Sequence, residues 1–491
     1  MKRNNLLSLI LLLAAAVGSL SACQGDAEEL TNPDQSASQS MTKAAVVEKT
    51  VAMTEAGKFA SFFQEGELET IQKLVVSGPL DASDIDTIRY QMPRLETLDM
   101  KEVSLVESDK TYDAEDRREH YKLKKGVITK RMLQCFSSLV TLVLPKDITE
   151  IEDYGIRSNE KLVSVEIPVT VKKVGAYAFE SCRSLQKVEL PNAEALGKGV
   201  FEKCDKMTTV TLSPNLQVIP DCAFQYCGSL VDVPLPPSLV SIGTGAFEQC
   251  RSLTSVNMPN TVTTLNNSAY LVCTNLKDVK LSESLKNIGD ASFAECENLI
   301  SIDIPASMST INSHAFRSCV NLETVTLHEG LQSIGGASFS NCKSLVSVTI
   351  PETVTSIGDE AFGNSGLRTI TIPGSVTSIG SRTFANSGLR SITIPETVTS
   401  VGGDILKGCT HLTSVFWECN RNVPEIIDLN ATSCLFYISH DVRCPSTWKN
   451  VVEPDGVVQT AVLKDKKRYL CPKAITAKKI SYTREFKMQT I

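Results

Sequence analysis

Leu345-Val346-Ser347-Val348-Thr349-Ile350-Pro351, followed by Val354, Ile357-Gly358 and Ala361-Phe362, is one copy of a pattern that recurs through most of the chain. Its general form is L-x-x-V-x-I-P-x-x-V-x-x-I-G-x-x-A-F-x-x-C, with the final Cys present in most copies though not in this one. Phased on the aromatic position, the copies place Leu133, Ile156, Phe179, Phe201, Phe224, Phe247, Tyr270, Phe293, Phe316, Phe339, Phe362, Phe384 and Leu406 at intervals of 22 or 23 residues. A fixed period of that length marks a solenoid, because one such unit is too small to bury its own apolar face and must stack on its neighbours.

Within a unit, the alternation predicts a short strand with Val348 and Ile350 pointing inward, closed by Pro351, which lacks a backbone donor. Gly358 and its equivalents suit a tight turn. Val354, Ile357, Ala361 and Phe362 return along the opposite wall and fill the interior. No unit sustains a helical pattern over the ten or so residues a stable helix needs, so the far side is expected to be short strand, turn or 3₁₀.

This phased pattern, running from Leu133 to Leu412, resembles the BspA-like leucine-rich repeat proteins of bacterial cell surfaces. A Pro follows the strand where the common leucine-rich repeat would begin an asparagine ladder, and that departure matches the BspA-like variant. The resemblance implies a β-rich α/β solenoid, a right-handed superhelix of about thirteen units with a cap at each end. It also implies adhesion, by binding proteins of a host matrix or of bacterial surfaces; the residues themselves read as a non-enzymatic protein without cofactor or metal.

The N-terminus supplies an address. Met1-Lys2-Arg3 is a basic head, Leu6 to Val17 is almost wholly apolar, and Leu20-Ser21-Ala22-Cys23 looks like a lipobox. An apolar core of about a dozen residues is too short for a permanent span and reads as a signal peptide, residues 1–22, with Cys23 the acylated first residue after cleavage. Loss of Lys2 and Arg3 would take the formal charge from −7 to −9, a sign that argues against a nucleic-acid partner. Contact with a membrane would then be through the lipid anchor only. Asp26, Glu28 and Glu29 resemble the surface-export signal of Bacteroidetes-type lipoproteins, and a solvated tether explains them as well. The expected location is the bacterial outer membrane, exposed at the cell surface.

Residues 23–44 are polar and without periodicity, as a flexible tether would be. Residues 45–130 are read as an N-terminal capping region. It holds strands at Val47–Met53 and Lys73–Val76, a short helix at Glu55–Phe63, a second helix opened by Ser83 as its cap, and the strand motif Leu95–Met100. The mixed-charge run Asp109–Lys125 reads as a solvated loop. Residues 131–416 are read as the solenoid, and residues 417–491 as a C-terminal cap and tail in which Trp417 and Trp448 close the open core. The basic stretch Ala474–Ile491 is either an edge strand or the stub of a further domain.

Nine of the sixteen cysteines, Cys182, Cys204, Cys227, Cys250, Cys273, Cys296, Cys319, Cys342 and Cys409, fall three residues after the aromatic position. Stacked at about 4.8 Å, parallel side chains are too far apart for the roughly 3.8 Å of a disulfide, so they are expected to be reduced core residues. No C-x-x-C pair occurs, the five histidines fall in no metal spacing, and no phosphate loop, G-x-S-x-G or H-E-x-x-H is present. What remains is surface. The outward strand positions form two rows, dominated toward the C-terminal half by small hydroxyls: Thr324, Ser347, Thr369 and Ser391 beside Thr326, Thr349, Thr371 and Thr393. Threonine suits any exposed pleated surface; the functional alternative is a regular polar platform for a partner protein. Aromatic residues are missing from both rows, which weighs against the competing class, a glycan-binding accessory lipoprotein.

Overall fold

The computed structural model describes residues 46–113 and 119–418, and the backbone of four further strands at Leu435–Ile438, Lys449–Val452, Gln459–Val462 and Arg468–Cys471. The repeats coil into a parallel solenoid of about sixteen turns. In the turn quoted above, Ser347–Thr349 forms the outer strand and pairs in register with Thr369–Thr371 of the next turn. Val348 and Ile350 are buried beneath it. Pro351 then accepts a hydrogen bond from the Val354 amide at 3.1 Å, which turns the chain onto the second wall. There Ser356–Ile357 pairs in parallel with Ser333–Ile334 on one side and Ser378–Ile379 on the other.

The third wall is built from an unusual backbone. Two residues before and two after every aromatic position, φ is near +60°, as at Glu360 (54°) and Asn364 (56°) around Phe362. In thirteen successive turns these sites are filled by 23 residues other than glycine, although an L side chain in that region costs about 1 kcal/mol or more. Alternating left- and right-handed residues aim alternate amides the same way. Glu360, Phe362 and Asn364 donate at 2.7–2.8 Å to Ser381, Thr383 and Ala385 of the following turn. Alternate amides of the wall thus bond to the next turn while those between them bond within their own, as Gly363 does to Glu360 O at 2.9 Å, and burial of the aromatic anchor inside it offsets the strain.

Inside, ten rings from Phe179 to Phe384 form one stacked column with centroids 5.0–6.0 Å apart. Each buried Phe contributes about 1.5–3 kcal/mol. The nine cysteines beside this column are buried and unpaired. Each thiol donates to the carbonyl of the aromatic-position residue one turn back, for example Cys273 Sγ to Phe247 O at 3.1 Å. Asn159, at the same position in an early turn, makes the same contact through Nδ2 to Leu133 O at 2.8 Å. Burial pushes the thiols up, Cys182 and Cys342 to about 12.

Gly358 corrects the expectation of a tight turn. Its backbone is not left-handed, but a Cβ there would lie 2.6 Å from the Gly336 amide nitrogen of the preceding turn. Glycine is needed because neighbouring coils approach too closely for a side chain.

The first strands belong to the same column. β1 (Glu48–Ala52), β2 (Lys73–Leu80) and β3 (Thr97–Leu105) pair in parallel with each other and then with Thr141–Val143, so the stacking extends beyond the thirteen phased units. The expected first helix is only a 3₁₀ turn, Phe59–Phe62. The second, α1 (Ala82–Gln91), is capped by Asp81 and not by Ser83: Asp81 accepts from the Ser83 and Asp84 amides, and Asp84 returns the contact to the Asp81 amide. An acidic side chain two residues earlier satisfies two free amides at once, and so displaces the serine. The charged run is not wholly solvated either, because Tyr112 is buried and its hydroxyl bonds Thr129 Oγ1 and Lys130 O at 2.7 and 2.6 Å. Together with Arg89, which reaches Arg131 O at 3.4 Å, it covers the first carbonyls of the left-handed ladder.

Past Leu412 the aromatic phase ends but the strand column continues. Ser414–Trp417 pairs in register with Ser391–Ile394, and Leu435–Ile438 follows in parallel. The Trp417 side chain is fully buried. Cys23, the proposed leader and tether, Trp448 and the stretch 474–491 lie outside the described residues.

Candidate interaction surface

The outer strands present one face to solvent, and its character changes along the solenoid. At the N-terminal end the exposed side chains are charged and paired: Lys101 with Glu166 at 3.1 Å, Lys187 with Glu189 at 2.6 Å, and Lys73 with Glu48 at 2.8 Å. The Glu166 carboxylate holds the Lys101 ammonium above its ordinary value. Pro234 interrupts the strand column between Thr209–Leu212 and Ser255–Asn257, because it has no amide to give to a ladder.

From Ser301 onward the face is dominated by hydroxyls. Thr324 and Thr326, Ser347 and Thr349, Thr369 and Thr371, and Ser391 and Thr393 are all exposed, two per strand, on four successive strands. Register puts Ser347 beside Thr369 and Thr349 beside Thr371. All eight candidate residues therefore lie on the outer face of four successive strands, whose inner side chains Val325, Val348 and Ile392 are buried and Ile370 half-buried. Hydroxyls cost less to desolvate than charges, so this half is the more easily covered by another molecule.

His120 and His328 each face a single carboxylate, Asp113 and Asp303, at 2.6 and 2.7 Å. Among the described residues no three His, Cys, Asp or Glu side chains are placed to hold a metal ion. No described helix is long and apolar enough to cross a membrane.

The BspA type leucine-rich repeat region, in six copies, matches residues 127–252, 194–323 and 309–428, together more than half of the 491 residues. The chain belongs to the BspA-type leucine-rich repeat family. Among solved structures, a leucine-rich repeat protein from Bacteroides ovatus is 20% identical with a TM-score of 0.51, over 69% of this chain and 89% of its own. A leucine-rich cell surface protein from Faecalibacterium prausnitzii is 23% identical (TM-score 0.42, 69% and 95% covered), and the pneumococcal vaccine antigen PcpA is 18% identical (TM-score 0.41, 67% and 77%). No curated protein matches the chain. At these identities the likeness to the Bacteroides protein concerns the fold.

Sequence reasoning missed the thiol-to-carbonyl contacts and the left-handed ladder. The first had a signal in the Cys-for-Asn exchange at one phase position, both being donors. The second had almost none, since Tyr177, Lys203, Val272 and Glu360 all occupy left-handed sites.

Proposed function

We propose that this BspA-type repeat protein is a non-catalytic, lipid-anchored cell-surface scaffold that binds other proteins, and that its ligands are host matrix or bacterial surface proteins. The observation that carries the reading is the uncharged hydroxyl face, eight exposed Ser and Thr side chains on four adjacent strands. Interface centres are depleted in charge, and a rigid sheet loses little conformational freedom on binding. Family membership supports the class of partner, and the lipobox at Cys23 supports the anchor.

The test is direct binding of the purified chain to a panel of immobilised matrix proteins and polysaccharides. Saturable binding to a protein supports the proposal. Retention on polysaccharide alone would replace it with the glycan-binding reading. Labelled palmitate incorporation that disappears in Cys23→Ala tests the anchor.

A further inference from the structure

A groove of about 650 Å³ opens where the last turns leave the left-handed ladder and enter their outer strands. We propose that it takes carboxylate side chains from an acidic segment of a protein partner, gripped by Arg368 and Arg390; this rests on the protein-binding reading of the adjoining face.

The groove is made by a shortening of the repeat. Cys342-Lys343-Ser344-Leu345 has two residues between the phase cysteine and the leucine, whereas Ser365-Gly366-Leu367 and Ser387-Gly388-Leu389 have one. The shorter corner falls back against the previous turn, and only glycine permits it: a Cβ on Gly366 would meet Lys343 O at 2.1 Å. The recess is lined by Gly366 and Gly388, by the cations Lys343, Arg368 and Arg390 with His411, and by a single carboxylate, Glu323, so cations outnumber anions in it.

These two arginines stand on neighbouring rungs, the Arg390 amide donating to Arg368 O at 3.3 Å. Both are exposed. Two other exposed arginines face carboxylates, Arg183 facing Asp205 at 2.9 Å and Arg382 facing Glu360 at 3.7 Å. Among the described residues, the guanidinium groups of Arg368 and Arg390 and the ammonium of Lys343 have no such partner. Like charges side by side on a sheet repel, so an anion bridging them would gain from both. A second observation is independent of charge. Ser365 lines the same groove, is only 5% exposed, and its hydroxyl has no hydrogen-bond partner. A stranded buried hydroxyl costs stability until an acceptor reaches it.

Planar guanidinium forks match a carboxylate with two parallel hydrogen bonds. No Phe, Tyr or Trp lines the groove to stack on a sugar ring. Thr369 and Ser391 directly follow the two arginines, so the groove borders the hydroxyl face and one protein could occupy both.

The experiment is fluorescence anisotropy of a labelled hexaglutamate peptide, with dextran sulfate titrated in parallel. Wild type is expected to bind the peptide at low salt, and Arg368→Ala/Arg390→Ala to weaken it about tenfold or more. Ser365→Ala should weaken it several-fold. Lys187→Ala/Lys280→Ala removes the same charge elsewhere and should leave it within twofold. Equal losses in the two double variants, or dextran sulfate bound more tightly than the peptide through the same arginines, would overturn the proposal. Protein capture by the hydroxyl face in the Arg368→Ala/Arg390→Ala variant would still occur, so the two readings fail separately.

Discussion

The Tyr270 hydroxyl lies within the ring column, fully buried and without a hydrogen-bond partner, while its neighbours Phe247 and Phe293 stack on its two faces at 5.0 and 5.3 Å. Tyr270→Phe keeps both stacks and removes the stranded oxygen, so it is expected to raise stability by about 1 kcal/mol in denaturant unfolding; a loss of stability would mean that the hydroxyl is satisfied. The cysteine row makes a pH prediction. The unfolded chain releases thiol protons near the ordinary value of 9.0, whereas the folded chain holds them, Cys182 and Cys342 to about 12. Above pH 9 the unfolded state therefore binds fewer protons, and stability falls as pH rises toward 12, while below 9 the contribution is fully present. Replacing Cys250 and Cys273 by Ala should lower stability at pH 8, through loss of the bonds to Phe224 O and Phe247 O, yet make the alkaline decline shallower. An unchanged alkaline slope would contradict burial of the row. Iodoacetamide at pH 8 should spare these thiols in the native protein and label the half-buried Cys135 and Cys222 before them.

The elements make opposite demands on glycine at two positions a few residues apart in the repeat. Gly358→Ala places a methyl group against the Gly336 backbone and is expected to cost about 2 kcal/mol. Val272, at φ 60°, is a β-branched residue in the left-handed region; Val272→Asn, which tolerates that region, should gain about 1 kcal/mol. Thermal unfolding of the pair checks both signs, and a loss at Val272 would show that its packing outweighs its strain. These positions also mark what could be read from sequence. The strand with Val348 and Ile350 inward, the Pro351 stop and the core Phe were legible because period and hydrophobicity report burial directly. Gly358 was identified but given the wrong cause, since one glycine letter serves both conformation and close approach. The left-handed sites were invisible because the ladder between turns overrides local preference, letting Tyr177 and Lys203 stand where Gly or Asn would be expected. The hydroxyl rows were legible by alternation, whereas the groove beside them depended on one missing residue per repeat, a spacing change whose consequence appears only when turns stack.

At the scale of the whole solenoid, each turn touches only its neighbours, and among the described residues the interior is filled mainly by apolar side chains and thiols. Binding then falls to the skin, and its gradient from paired charges at the N-terminal half to hydroxyls at the C-terminal half points to the latter. Thr326, Thr349, Thr371 and Thr393 form its straightest row, all exposed and all anchored by buried strand neighbours. Changing these four to Lys leaves the core untouched and plants four charges that a partner would have to desolvate. The most direct measurement is surface plasmon resonance of the quadruple variant against a matrix or bacterial surface protein that binds the wild type: the expected result is at least a tenfold loss of affinity with an unchanged circular dichroism spectrum, and undiminished binding would contradict the assignment of this face.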